Sequence, residues 1–269
     1  MKIITNKNTL KKIVIKEKKI GFVPTMGAIH PGHISLIKKA SQNCSKTIVS
    51  IFVNKPQFDQ KNDYKKYPRN LKQDISLLKK TNVDILFLPS FKQIYPNGRN
   101  KNIKIDSFQN MLCGKTRPGH FKAVVDVIDR FIKIINPYKI FFGEKDFQQL
   151  KLIESFVNKN HKNVKVIGCK TIREKNGVAY SSRNLLLNRS EFSIASKVYK
   201  FLYMNKKKII KNYISIKFVK NKLYQIGVNK IDYLEVVDIN KTTRPFKKNK
   251  LFKLFVSYYL GNTRLIDNI

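Results

Sequence analysis

Two hydrophobic rhythms alternate along the first 170 residues. Short apolar runs rich in Ile, Val and Phe, at 20–24, 47–53, 84–89, 139–142 and 164–168, predict strands. Between them, at 34–42, 71–80, 123–135 and 146–158, apolar residues return with helical spacing. In the third of these, Val124, Val127, Ile128, Phe131 and Ile135 form one stripe of a helix. Strands alternating with helices predict an α/β fold, a parallel sheet with helices on both faces, over a first domain of residues 1–170. Ligands of such sheets bind beyond the carboxyl ends of the strands.

The rhythm then changes. Residues 190–212 and 216–226 read as helices, and 233–238 and 251–260 as strands. They predict a smaller α+β C-terminal lid domain, residues 171–269, joined through 171–184. The first 19 residues are Lys-rich with Glu17 as their only acid, and they contain neither Arg nor a secretory apolar core. They are expected to form a leading helix or strand packed on the first domain rather than a targeting segment.

Composition narrows the function. A chain of 269 residues is long enough for about two domains, and 42% hydrophobic content argues against general disorder. The 55 basic and 17 acidic residues leave a formal charge of +38, which points first to nucleic acid. Only nine of the basic residues are Arg, however, and the lysines are spread over every segment. Base-edge and bidentate phosphate recognition favours the fork of Arg. Lys, Ile and Asn make up 105 of the 269 residues, a chain-wide drift of the kind an AT-biased genome produces. The charge therefore reads as a solvated face, with no specific nucleic-acid partner expected. No apolar run approaches the ~18 residues of a membrane span. Cys44, Cys113 and Cys169 are too few and too widely spaced for a disulfide framework or zinc site, which fits a reducing cytoplasm.

Chemistry concentrates in three stretches. PTMGAIHPGHISL (24–36) leaves the first strand through Gly27, Ala28 and Gly32, a loop of little side-chain bulk. A helix starting near His33 would aim free N–H groups at an anion, and His30 and His33 could donate to phosphate oxygens. FFGEKDFQQL (141–150) supplies Gly143 for a turn, Lys145 as a mobile cation and Asp146 as a helix cap. Gln148 and Gln149 read as solvated helix residues on spacing alone. GVAYSSRN (177–184) offers two hydroxyls, an Arg and several backbone N–H groups. Each stretch alone is an ordinary turn or helix start; together they argue for a nucleoside triphosphate.

HxGH with a distant Ser-Ser-Arg loop resembles the HIGH and KMSKS pair of the nucleotidylyltransferase superfamily. More narrowly, the chain resembles the pantothenate synthetase (pantoate–β-alanine ligase) family, through VPTMGAIHPGH, SIFVN followed by QF, YPRNLKQD, TRPGHF, FGEKDFQQL, YSSRN and the terminal TRLIDN. The resemblance implies a Rossmann-like first domain and synthesis of pantothenate from pantoate, β-alanine and ATP through a pantoyl adenylate. It implies that Met26, Gly27, Ala28, Ile29, His30, Pro31, Gly32 and His33 wrap ATP. Gly143, Glu144, Lys145 and Asp146 would hold the nucleotide, with Lys145 on the phosphates and Asp146 on the ribose, and Ile172 would offer adenine a backbone contact. Tyr180, Ser181, Ser182 and Arg183 would close over the triphosphate. The catalytic donors would be His33, His30, Lys145, Ser181, Ser182 and Arg183. Gln57 and Gln149 would bind pantoate, with Gln57 also near the amine of β-alanine.

The resemblance also implies Mg²⁺ and a homodimer, and names no protein ligand for the metal. Where the family reads VNP-x-QF this chain reads VNKPQF, and Tyr180 stands in place of a usual Leu or Met. The alternatives are another HxGH nucleotidylyltransferase or, further off, a basic nucleic-acid-binding protein. A class I aminoacyl-tRNA synthetase is disfavoured, because the remaining chain is too short for an anticodon-binding domain.

Overall fold

The computed structural model describes residues 1–243, 246 and 248–269. In chain order the elements are β1 (Lys2–Ile4), α1 (Lys7–Val14), β2 (Ile20–Thr25), α2 (Pro31–Asn43), β3 (Lys46–Ile51), α3 (Lys61–Lys66) and α4 (Leu71–Lys79). There follow β4 (Ile85–Phe87), α5 (Phe91–Ile94), α6 (Leu112–Thr116), α7 (His120–Ile135), β5 (Lys139–Gly143), α8 (Phe147–Asn160) and β6 (Lys165–Cys169). The chain ends with α9 (Arg189–Ile210), α10 (Ile216–Ile226), β7 (Lys230–Asp238), β8 (Phe252–Leu260) and β9 (Thr263–Asn268).

Strands β1 to β6 form one parallel sheet in the order β1-β4-β3-β2-β5-β6. Successive side chains of a strand point to opposite faces. Accordingly Phe22, Ile48, Phe87, Ile140 and Phe142 pack with Leu10 of α1, Val124 and Phe131 of α7 and Ile153 of α8 on one face. Val23, Val49, Leu86 and Phe141 pack with Leu36, Ile37 and Ala40 of α2 and Leu78 of α4 on the other. Helices on both faces and a parallel sheet are thus as the hydrophobic rhythm predicts. The leading segment forms both a strand and a helix, and α7 starts at His120, three residues before the predicted start at 123.

A second, antiparallel sheet, β7-β8-β9, carries α9 and α10 around a separate apolar core that includes Leu202, Val219, Leu223, Leu254 and Val256. Strand β9 escapes the hydrophobic pattern because Arg264 and Asp267 interrupt it. Both charges are spent in pairs, Arg264 with Asp232 (2.7 Å) and Asp267 with Arg173 (2.6 Å). Phe108, Phe121, Phe147 and Leu152 from the first 170 residues meet Tyr233, Val237 and Phe255 in a small joint core, so the second sheet sits beside α6 and α8. Among the described residues no helix is long and apolar enough to cross a membrane.

Candidate active site

The sheet order changes direction at β2: β3 and β4 lie to one side, β5 and β6 to the other. The crevice beyond the carboxyl ends at such a point is where open α/β sheets bind ligands. Stretches 24–36 and 141–150 leave β2 and β5, which are hydrogen-bonded neighbours. Pairing thus brings together two motifs more than a hundred residues apart.

After β2 the chain turns through Gly27 (φ +83°) and Ala28 (φ +50°), consecutive left-handed residues. Asp74 of α4 fixes the turn by accepting from Ala28 N–H (3.0 Å) and Ile29 N–H (2.7 Å). A Cβ on Gly27 would come within 2.9 Å of Asp74 Oδ2. Pro31 takes the first turn of α2, where no N–H is needed, and His30 is the N-cap residue without a side-chain cap bond. The rings of His30 and His33 stack with centroids 3.9 Å apart, and Tyr180 lies parallel beyond His30 at 6.3 Å. Both Nδ1 atoms are buried without a hydrogen-bond partner, a rare condition that a ligand can relieve. Burial, then the nearby Lys145, pulls His30 down to about 4. Burial, with His30 and Lys145 adding to it, holds His33 well below its ordinary value. Both rings are therefore neutral near pH 7, each with one N–H to give.

After β5, Asp146 occupies the N-cap position of α8 but makes no side-chain cap bond, contrary to the capping expectation. The turn is held instead from the far end of the chain, where Asn268 Nδ2 donates to the carbonyls of Glu144 (2.9 Å) and Lys145 (2.8 Å). The two glutamines of α8 diverge. Gln149 faces the cleft. Gln148 is buried rather than solvated: its Oε1 accepts from Cys113 N–H and its Nε2 donates to the carbonyls of Phe108 and Met111. Helical periodicity separates such neighbours by about 100° but cannot say which one faces inward.

Loop 180–183 closes the third side. Tyr180 N–H donates to Ile172 O (3.0 Å), and Ser182 Oγ donates to Ala28 O (3.2 Å). Arg183 is held by Asp63 of α3, through Nη2–Oδ2 at 2.7 Å and Nε–Oδ1 at 3.3 Å. Gln57 ends a short 3-10 turn, Lys55–Gln57, in which Pro56 takes a first-turn position. The shifted proline of VNKPQF is thereby accommodated, and Gln57 still faces the cleft.

Sequence reasoning assigned no role to Arg117 and His120, although it singled out TRPGHF. His120 Nδ1 donates to Gln57 O (2.7 Å), which leaves Nε2 to accept from Arg117 Nη1 (3.1 Å). Arg117 also donates to Gln57 O (3.1 Å) and pairs with Asp59 (2.7 Å). Burial and then the Arg117 charge drive His120 down to about 3.

One cleft, open to solvent, gathers these parts. It is lined by Met26, His30, Gly32, His33, Gln57, Gly143, Lys145, Asp146, Gln149, Ile172, Tyr180, Ser181, Ser182 and Arg183. Gly27, Ala28, Ile29, Pro31 and Glu144 are not part of its lining; they shape the two loops from behind. A second lobe beneath β7–β9 shares Lys145, Asp146, Gln149, Ser181 and Arg183 with it. Among the described residues no three His, Cys, Asp or Glu side chains group to hold a metal.

The Pantoate-beta-alanine ligase family matches residues 2–269. The chain is 40% identical to a pantothenate synthetase of Sulfurihydrogenibium sp., covering 100% of this chain and 99% of the relative. It superposes on a pantoate–β-alanine ligase from Francisella tularensis, solved in complex with β-γ ATP and β-alanine, with a TM-score of 0.86 and 39% identity over 100% of this chain and 97% of that one. A pantothenate synthetase from Thermus thermophilus superposes with a TM-score of 0.90 and 31% identity over 100% of this chain and 99% of that one. With the HxGH, GEKD and SSRN stretches converging on one crevice at the sheet's switch point, the chain belongs to the pantoate–β-alanine ligase family.

Proposed function

We propose that this chain condenses pantoate with β-alanine through a pantoyl adenylate, using ATP and releasing AMP and pyrophosphate. A free carboxylate does not react with an amine at neutral pH, so the acid must first acquire a leaving group. A pantoate carboxylate oxygen bonds to the α-phosphorus of ATP, and the bond to the β-phosphate oxygen breaks to give pyrophosphate. The amine nitrogen of β-alanine then attacks the acyl carbon. The C–O bond to the phosphate breaks, AMP leaves with the electron pair, and the amine loses its proton.

The observation that carries this reading is the single cleft in which phosphate donors face two amide side chains. His30 and His33 would donate as neutral imidazoles, and Lys145, Ser181, Ser182 and Arg183 would meet the charge that builds on the α-phosphoryl and pyrophosphate oxygens. Each well-placed donor contributes roughly 10²–10³ in rate. Met26, Gly32, Gly143, Asp146, Ile172 and Tyr180 would bound the nucleotide, with Gly27, Ala28, Ile29, Pro31 and Glu144 supporting the loops. Gln57 and Gln149 would face pantoate. Among the described residues no protein cage for Mg²⁺ forms, and Asp74 spends both oxygens on backbone N–H groups. An Mg²⁺ arriving with ATP would be held mainly by the phosphates, its usual mode. The reading carries with it a cytoplasmic homodimer, and residues 171–269 acting as a lid on residues 1–170.

The test is pyrophosphate release from ATP and pantoate, with and without β-alanine. Release with pantoate alone, and AMP with pantothenate only once β-alanine is added, is the expected result. No pyrophosphate under either condition overturns the reading.

A further inference from the structure

We propose that Tyr95, which does not line the cleft, is a positioning residue that decides which end of the Gln57 amide faces the substrate. The proposal rests on the reading of the cleft given above and deepens it. Tyr95 follows α5 and is buried, as is Asn54 after β3. The Tyr95 hydroxyl donates to Asn54 Oδ1 at 2.8 Å. On the opposite side Asn54 Nδ2 donates to Ala123 O (3.2 Å) and to Gln57 Oε1 (3.0 Å).

The polarity of this chain follows from its fixed ends. A backbone carbonyl can only accept, so Ala123 O requires the nitrogen of Asn54 on its side. Oδ1 is then turned to Tyr95, whose hydroxyl satisfies it. Burial, and next the Asp126 charge, raise the Tyr95 pKa, which keeps the proton on the donor. With Asn54 so oriented, Gln57 must offer its oxygen to Asn54, and its N–H groups remain for a ligand. The Gln57 backbone is fixed as well, since its carbonyl accepts from Arg117 and His120.

Tyr95 is itself clamped. The Arg130 guanidinium lies 4.5 Å from its ring centroid, bonded to Asp126 and to the carbonyls of Ile94 and Gly98. Phe91 packs against the ring at 4.8 Å. A donor at Gln57 suits a carboxylate or hydroxyl oxygen of the acid. It offers nothing to an ammonium group, which can only donate. Gln57 therefore presents its N–H groups to an acceptor oxygen of the pantoate side of the reaction.

The test is a double-mutant cycle of Tyr95→Phe and Gln57→Ala, with KM measured for each of the three substrates. Tyr95→Phe removes one oxygen and keeps the ring packing. It is expected to raise the pantoate KM about tenfold, with the ATP and β-alanine values within about twofold of wild type. In the Gln57→Ala background it should cost nothing further, because its effect passes through Gln57. Asn54→Asp, nearly isosteric, reads the same chain from the middle: a carboxylate cannot donate to Gln57 Oε1, so the pantoate KM should rise at least as far. Additive losses, or equal losses for all three substrates, overturn the proposal and leave the functional reading intact. A folded wild-type protein without pantothenate synthesis overturns both.

Discussion

His30 and His33 are stacked imidazoles with unpartnered Nδ1 atoms, held neutral by burial first and then by the neighbouring Lys145. Such an arrangement costs stability unless a ligand uses it, because buried polar groups are normally paired. Gly32 belongs to the same arrangement, since a Cβ there would come within 2.8 Å of the His30 ring. Removing a donor should therefore cost rate rather than fold. His33→Ala and Lys145→Ala are each expected to lower turnover at least ~100-fold with unchanged circular dichroism. A folded variant with near-wild-type turnover takes that residue out of the catalytic set.

Among elements, α3 and loop 180–183 are tied by one ion pair, Asp63 with Arg183, across 120 residues of sequence. Both side chains keep about a quarter of their exposure (26% each), so the pair stabilises the loop only modestly. On the proposed function, nucleotide phosphates arriving at the cleft would offer Arg183 a competing partner. Asp63→Asn should speed amide hydrogen exchange over residues 180–187 by about fivefold, the ratio that loss of ~1 kcal/mol gives. Saturating ATP should bring exchange close to that of liganded wild type. Unchanged exchange in the ligand-free variant would show that the Ser182 and Tyr180 hydrogen bonds hold the loop unaided.

For the whole molecule, depressed histidines make stability depend on pH with a definite sign. His30 titrates at about 4, His120 at about 3 and His33 well below its ordinary value, whereas an unfolded chain titrates near 6.5. Between those values the unfolded state binds more protons, so stability rises with pH. It is fully present above about pH 6.5 and is lost as pH falls through 6 and 5 toward 4. Urea unfolding at pH 7, 6 and 5 should show this loss, and His120→Gln should reduce its slope by about one proton. Equal stability at pH 7 and pH 5 contradicts the assignment.

The +38 charge also belongs to this scale. Duplex DNA binding should show little sequence preference and fall steeply from about 50 to about 200 mM salt, while turnover changes far less. A defined duplex preferred ~1,000-fold over random DNA would make nucleic acid a true partner.

What the sequence determined by itself is whatever depends on near neighbours. The strands at 20–25 and 139–143, the stripe of α7 and the small-residue loop of HxGH are legible because apolar spacing and backbone bulk act over a few residues. The family is legible too, since its motifs are contiguous strings. The tertiary structure alone decided the contacts that cross the chain. Ala28 and Ile29 give their N–H groups to Asp74, 46 and 45 residues away. Asn268 pins the GEKD turn from 124 residues away. Gln148 turns inward while Gln149 faces the cleft. β9 pairs despite its charges, because their partners Asp232 and Arg173 lie on other segments. Such contacts depend on strand order, register and side-chain rotamer, and these are set only when the whole chain packs, so no local window of sequence contains them.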